Sequence, residues 1–225
     1  MVACAAWSDM MSTIETVARA GSDRGAFDVV VDDAVHNFRD PVVTGQQILQ
    51  AVDTTWMPVL LRRLQQLVDQ GTPRADWPQS SHWDWRQKTE RIKGLLAFRT
   101  LALTCDGKLQ GLMQVNTASV SRLPDQTGKH LTYIDYLESA PWNRLEVVTQ
   151  PKFKGVGSVL MRAAIEISHE EGFQGRIGLH SLPRSEPFYG RCGMSDLGID
   201  GNYENLRYFE MTPAQAATFS GKEPL

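Results

Sequence analysis

The chain has 225 residues, 42% of them hydrophobic, and a formal net charge of −3 with acids and bases interspersed. That is enough for one domain with a proper core and an elaborated end. It excludes a basic nucleic-acid arm and a basic membrane-binding surface, and no apolar run is long enough to span a membrane.

The cysteines, Cys4, Cys105 and Cys192, are odd in number and form no C-x-x-C pair, so they read as reduced thiols of a cytoplasmic protein. The histidines, His36, His82, His130, His169 and His180, show no ligand spacing, so no metal is expected. No Lys or Arg precedes Arg19, which argues against a secretory signal over residues 1–12.

In chain order, Trp7 to Ala20 has the period of a helix, with Ser8 as cap and Gly21 as stop. Phe27 to Val31 is a short β-rich run that suits a first strand. Helical patterns follow over Gln46 to Ala51 and Trp56 to Val68, the second with Leu60, Leu61, Leu64 and Leu67 on one face. Thr72 to Ser81 is polar and proline-bearing, hence a loop. Trp83 and Trp85 then flank Asp84 ahead of Lys88, Arg91 and Lys93. Such a pair closes one end of a core or covers a ligand.

From Leu95 the period becomes that of strands: Leu95 to Thr104 and Leu109 to Thr117, joined by the two-residue hairpin signal Asp106-Gly107. Ser119 to Lys129 reads as a loop and Leu131 to Ser139 as a strand stopped at Pro141. Leu145 to Val148 is a further β-prone piece. A helix is expected from Val156 to about Glu170, with Leu160, Ala163, Ala164 and Ile167 on its apolar face and Gly172 as its stop. Arg176 to Leu182 reads as a strand, Ser185 to Gly193 as a short helix and Tyr208 to Met211 as a last strand.

The stretch Lys152-Phe153-Lys154-Gly155-Val156-Gly157-Ser158 runs straight into the long helix. Glycines permit a tight turn and leave no side chain over the amides. The first helical amides lack intrahelical partners, and the dipole adds partial positive charge, so phosphate suits this place. Alone, two glycines are also what a plain turn before a helix looks like.

This order of elements resembles the GNAT superfamily of acyl-CoA-dependent N-acetyltransferases. The family loop, Q/R-x-x-G-x-G/A, corresponds to Lys152-Phe153-Lys154-Gly155-Val156-Gly157, with Lys in the first place. The family F-Y-x-x-x-G-F corresponds to Phe188-Tyr189-Gly190-Arg191-Cys192-Gly193-Met194. Where many members carry Asn seven residues before the tyrosine, this chain has Leu182. The family L-x-V-x-P fits Leu137-Glu138-Ser139-Ala140-Pro141 with Ser for Val, and Leu145-Glu146-Val147 by spacing without the proline; the first register is preferred.

The resemblance covers Leu95 to Met211. It implies an α+β fold, a mixed, mostly antiparallel GNAT-like sheet flanked by helices with an N-terminal helical extension. Residues 1–94 would hold the extension with the first strand and helices, 95–211 the acetyl-CoA-binding core, and 212–225 a tail. The implied activity is acetyl transfer from acetyl-CoA to a primary amine of a small molecule or a protein lysine. Residues Lys152, Phe153, Lys154, Gly155, Val156, Gly157 and Ser158 would hold the pyrophosphate, and the backbone at Ser139 or Ala140 would polarise the thioester. Tyr189 would give a proton to sulfur, and Glu138, with Asp135 or Glu146 as alternatives, would take one from the amine. Neither nucleic acid nor membrane is expected as a partner; a homodimer is left open. The rival reading is a silent acyl-CoA-binding interaction module.

Overall fold

The computed structural model describes residues 27–32 and 45–221. The helix expected over Trp7 to Ala20 lies outside them. The elements are β1 (Phe27–Asp32), α1 (Gly45–Ala51), a π-helical turn (Val52–Trp56), α2 (Met57–Asp69), α3 (Trp85–Ile92), β2 (Phe98–Cys105), β3 (Lys108–Val120), β4 (His130–Ser139), α4 (Val156–Glu170), β5 (Ile177–Ser181), α5 (Glu186–Arg191), β6 (Ser195–Asp200), β7 (Leu206–Met211) and α6 (Pro213–Ser220).

The strands form one seven-stranded sheet in the order β1-β2-β3-β4-β5-β7-β6. Every pairing is antiparallel except that of β4 with β5, which is parallel. This is the mixed α+β sheet expected. The β2–β3 hairpin turns on Asp106 and Gly107, both at positive φ (50° and 69°), as a two-residue turn of matching twist requires.

Two faces of the sheet are covered by different helices. On one, α4 packs Val156, Val159, Leu160, Ala163, Ala164 and Ile167 against Leu101, Met113, Val115, Ile134 and Leu179. This is the apolar stripe read from the sequence, now buried at helical spacing. On the other, Ile48, Val52, Trp56 and Trp85 meet Ala102, Leu109, Leu112 and Ala140. The helices expected at Gln46 and Trp56 are joined through the π turn into one run, whose Ile48, Val52 and Trp56 pack on the sheet.

Close approach sets one glycine. A Cβ at Gly111 would lie 2.9 Å from both Leu160 Cδ1 and Val156 Cγ1. The start of α4 therefore sits almost on the β3 backbone. Gly111→Ala is expected to lower stability by about 1–3 kcal/mol by overpacking, read as a lower denaturation midpoint with an unchanged m-value.

The structure departs from the sequence expectations in four places. Leu145 to Val148 is a turn, with Val147 N–H bonded to Arg144 O at 3.0 Å, not a strand. Trp85–Ile92 is a helix, capped by Asp84 accepting from Gln87 N–H. Ser195–Asp200 is an additional edge strand. The segment after Met211 is helical over Pro213–Ser220, held by a Thr212–Gln215 capping box, and it buries Ala216 and Phe219 in the α4 cluster.

Candidate active site

The site begins where the sheet opens. β4 and β5 pair only from Thr132↔Ile177 to Ile134↔Leu179. Beyond that point β4 stays with β3, where Tyr136 faces Gln114 and Ile134 faces Val115, so Asp135 is an extra, bulged residue. A bulge bends its strand and re-aims its side chains. Here it swings β4 away from β5, whose own course ends at Leu182-Pro183. The gap holds a cavity of about 120 Å³. Its walls include Asp135, Tyr136 and Leu137 from β4, His180 from β5, Tyr189 from α5 and Trp83 from the loop before α3.

Asp135 Oδ2 is buried and accepts no hydrogen bond. Burial pushes this carboxyl up to about 7, with the Lys88 ammonium pulling the other way. Lys88 itself sits with Nζ 3.2 Å from the Tyr136 ring centroid and 4.8 Å from that of Trp83. Its burial pulls it down to about 8, opposed first by Glu138. Of the two tryptophans flagged in the sequence, Trp85 is core at 3% exposure, and Trp83 lines the cavity.

Tyr189 lies on α5 between Phe188, at 5.1 Å ring to ring, and Phe209, at 5.9 Å. Burial first, then Cys192, raises its phenol, which therefore keeps its proton at neutral pH. His180 is engaged on both nitrogens: Nδ1 with Tyr133 Oη at 2.6 Å and Nε2 with Asp200 Oδ2 at 3.1 Å. A carboxylate accepts only, so Nε2 carries the hydrogen and Nδ1 receives the Tyr133 hydroxyl. His180 also stacks on Tyr203 at 4.0 Å. It is a wall with a fixed tautomer.

Glu138 is two residues past the Tyr136 position and deep in the opposite cluster. Oε1 accepts from Ser80 Oγ at 2.7 Å and from Arg144 at 3.0 Å, and Oε2 accepts from Trp85 Nε1 at 2.6 Å. Both of its oxygens are thus occupied by protein donors, and it is not among the residues lining the cavity. Glu146 pairs with Arg144 at 3.5 Å and Arg184 at 3.8 Å in the turn after β4. Of the three acids left open by the sequence, the structure brings only Asp135 together with Tyr189.

Strand β4 ends at Ser139 ahead of Pro141, as the preferred register expects. Ala140 N–H donates to Gln110 O at 2.8 Å, towards β3. By strand alternation the Ser139 N–H points the other way, to the side from which β5 has departed.

The basic glycine loop enters α4 as read. Gly155 is the N-cap at φ 80°, a left-handed conformation that favours glycine. The first intrahelical bond runs from Val159 N–H to Gly155 O at 3.0 Å, so the amides of Val156 and Gly157 stand ahead of the ladder. A Cβ at Gly157 would meet Phe188 Cζ at 3.1 Å, which places the loop one residue from Tyr189 in space. Lys152 and Lys154 are exposed, and Phe153 packs against the α4 core.

Sequence reasoning missed what holds this loop. Phe153 N–H donates to Asn143 Oδ1 at 3.0 Å, and Lys152 N–H to Trp142 O at 3.0 Å. Asn143 Nδ2 and Trp142 Nε1 in turn donate to Gln110 Oε1, at 3.0 and 2.9 Å. Gln110 is 1% exposed, a buried polar group satisfied by the turn after β4. A glutamine among Leu109, Gly111 and Leu112 was the available signal. Among the described residues, no cluster of His, Cys, Asp and Glu has metal-site geometry, and no helix is long and apolar enough to cross a membrane.

No protein-family model matches the chain, and no curated protein matches it. Similar solved structures include an N-acyl amino acid synthase from uncultured soil microbes, 10% identical with a TM-score of 0.49, covering 86% of this chain and 95% of that one. A bacterial toxin is 14% identical with a TM-score of 0.45, covering 64% and 82%. An acetyltransferase of the GNAT family from Listeria monocytogenes 4b F2365 is 14% identical with a TM-score of 0.47, covering 85% of this chain and 96% of that one.

Proposed function

We propose that the chain is an acyl-CoA-dependent N-acyltransferase that moves an acetyl group from acetyl-CoA to a primary amine. The observation that carries this is the junction of three parts. A glycine-capped helix start lies against Phe188, the neighbour of Tyr189, and a carboxyl with an unpartnered buried oxygen and a protonated phenol both line the opening between β4 and β5.

The loop suits the pyrophosphate of coenzyme A. The Val156 and Gly157 amides and the helix dipole supply donors and partial charge, and Lys152 and Lys154 supply full charge at the exposed rim. Phe153, Gly155 and Ser158 complete the same turn. Acetyl-CoA, when bound, supplies an acyl group activated as a thioester. Asp135 accepts a proton from the acceptor ammonium, and the free amine then bonds to the acyl carbon as the carbon–sulfur bond breaks. The Ser139 N–H, turned into the opening, stabilises charge on the thioester oxygen. Tyr189 gives a proton to the departing sulfur; of the two protons the amine loses, one restores Tyr189 through water and the other passes from Asp135 to water. Asp135, rather than Glu138, is the proton acceptor in this scheme, because Glu138 already accepts from three protein donors. Much of the acceleration comes from holding amine and thioester together in the cavity.

The test is ligand-dependent melting. Acetyl-CoA is expected to raise Tm by binding the folded state, and Gly157→Asp to abolish the rise by adding negative charge in the first turn of α4, beside the amides that would hold phosphate. The substitution must move the Phe188 ring slightly, so its circular dichroism is checked first. A rise with ATP and none with acetyl-CoA would overturn the assignment.

Tyr189→Phe keeps the ring and its packing. Acetyl-CoA binding should be nearly unchanged while single-turnover transfer slows by about 10²-fold, the lower end for proton donation, since a raised phenol pKa makes a weaker acid. An unchanged chemical step would leave Tyr189 as a packing residue.

A further inference from the structure

The lining of the cavity between β4 and β5 limits which amine can enter it. The acidic groups among its lining residues are Asp135 and Glu204, and among the described residues neither Lys nor Arg lines it. Its histidines are His82 and His180, and burial holds His180 below the ordinary histidine range.

The nearest basic side chain, Lys88, is committed elsewhere. Its ammonium lies on the faces of Tyr136 and Trp83, and it interacts with Glu138 and Asp84 as well as with Asp135. Arg122, near the same end, lies over Tyr208, 4.3 Å from the ring, and is tied to Asp200, while Arg91, which acts on Tyr136 and Lys88, donates to Gln87 Oε1. A carboxylate or phosphate on the acceptor would enter beside Asp135 with no cationic side chain among the described lining residues to pair with, and like-charge juxtaposition in a desolvated site is strongly unfavourable.

The walls are rings. Trp83 and Tyr136 meet edge to face at 5.1 Å, and Tyr203 stacks on His180 at 4.0 Å. Tyr189 lines it as well, and its neighbour Phe188 faces Gly157 at the start of α4. A volume of about 120 Å³ is smaller than the cavity of about 150 Å³ that takes up benzene in a well-studied engineered case. Shared with the acetyl end of the thioester, the space limits the acceptor to at most one ring or a short carbon chain, with an amine reaching Asp135.

We propose that the acceptor is a compact primary amine with an apolar body and no anionic group, held by Asp135 through its ammonium and by the Trp83–Tyr136 and His180–Tyr203 walls through its carbon frame. This rests on the transferase reading above. It excludes free α-amino acids and acceptors bearing phosphate, and it disfavours long polyamines and peptide lysines.

The experiment compares matched pairs with acetyl-CoA as donor: benzylamine against phenylglycine, and n-butylamine against norvaline, with spermidine and a blocked lysine peptide as further arms. The amine of each pair should exceed its amino acid in kcat/KM by on the order of 100-fold, and benzylamine should exceed spermidine and the peptide. Tyr203→Ala should lower kcat/KM for benzylamine by about 10-fold through KM, with less effect on n-butylamine and none on acetyl-CoA binding.

An amino acid, spermidine or the peptide used as well as benzylamine overturns the inference and leaves the transferase reading standing. An unchanged benzylamine preference in Tyr203→Ala overturns the aromatic wall. If no amine turns over, calorimetry of benzylamine into the protein saturated with coenzyme A decides. Saturable binding supports the inference and its absence overturns it, whereas a missing acetyl-CoA shift in Tm sinks the transferase reading instead.

Discussion

Asp135→Asn is expected to lower kcat/KM for amine acetylation by 10²- to 10⁴-fold and to remove the pH dependence near neutrality. The acid that accepts the amine proton must be ionised. With the carboxyl pushed up to about 7 by burial, wild-type kcat/KM should rise with pH through that value and level off above it. The Asn variant should keep only the dependence due to the amine itself.

The same shift has an opposite signature in stability. A carboxyl whose folded pKa exceeds its unfolded one binds more protons in the native state. Its favourable contribution is complete below the ordinary value of 3.8 and is lost as pH rises through about 7. The ionised, unpartnered carboxylate is then a burden on the fold. Asp135→Asn should therefore melt above the wild type at pH 8, and the gap should close towards pH 4. Lower activity together with a higher Tm at pH 8 separates a base held at the expense of stability from a structural residue. Lower activity with a lower Tm at both pH values would mean that the variant is merely damaged.

The position of that acid shows where sequence reading stops. The glycine loop, the Asp106-Gly107 hairpin and the buried stripe of α4 are local features, fixed by backbone freedom and a single period, and all three stand in the structure where the sequence puts them. Which face a β4 acid occupies is not local. Strict alternation along Tyr133, Asp135, Leu137 fails at the bulge, which exists because β3 and β4 differ by one residue between the Gln114↔Tyr136 and Val115↔Ile134 pairings. Nothing in Ile134-Asp135-Tyr136 announces that mismatch, so from the sequence Glu138 comes first and Asp135 stands only as an alternative. The edge strand Ser195–Asp200 was hidden for a related reason. Asp196 and Gly198 break its β pattern, and its pairing with β7 skips between Asp196 and Ile199. By contrast, α6, expected from the sequence only as a tail, carries a local signal that this expectation leaves unused: Thr212-Pro213-Ala214-Gln215 is a capping box with Pro in the first turn.

Glu138→Ala is expected to cost about 3–5 kcal/mol of folding stability, the range for removing one partner of a buried ion pair. Glu138 is 7% exposed, and it receives hydrogen bonds from Ser80, Trp85 and Arg144. Burial pushes this carboxyl up, and those three donors, with Lys88, pull it back. Without the carboxylate, the Trp85 indole N–H loses its acceptor. The Arg144 guanidinium, whose Nε and one terminal nitrogen already have no hydrogen-bond partner, is left charged in the same cluster. Arg144 also stands at the head of the turn that carries Trp142 and Asn143 to the glycine loop, so the damage should extend to acetyl-CoA binding.

The compensating experiment is Glu138→Leu with Arg144→Met. Replacing a whole buried pair by apolar groups of similar size is often neutral or better, so the double variant should recover most of the lost stability. Its acetyl transfer per folded molecule should stay within about 10-fold of the wild type, because Asp135 and Tyr189 are untouched. A stable double variant that binds acetyl-CoA yet has lost transfer by 10²-fold or more would return the proton-accepting role to Glu138.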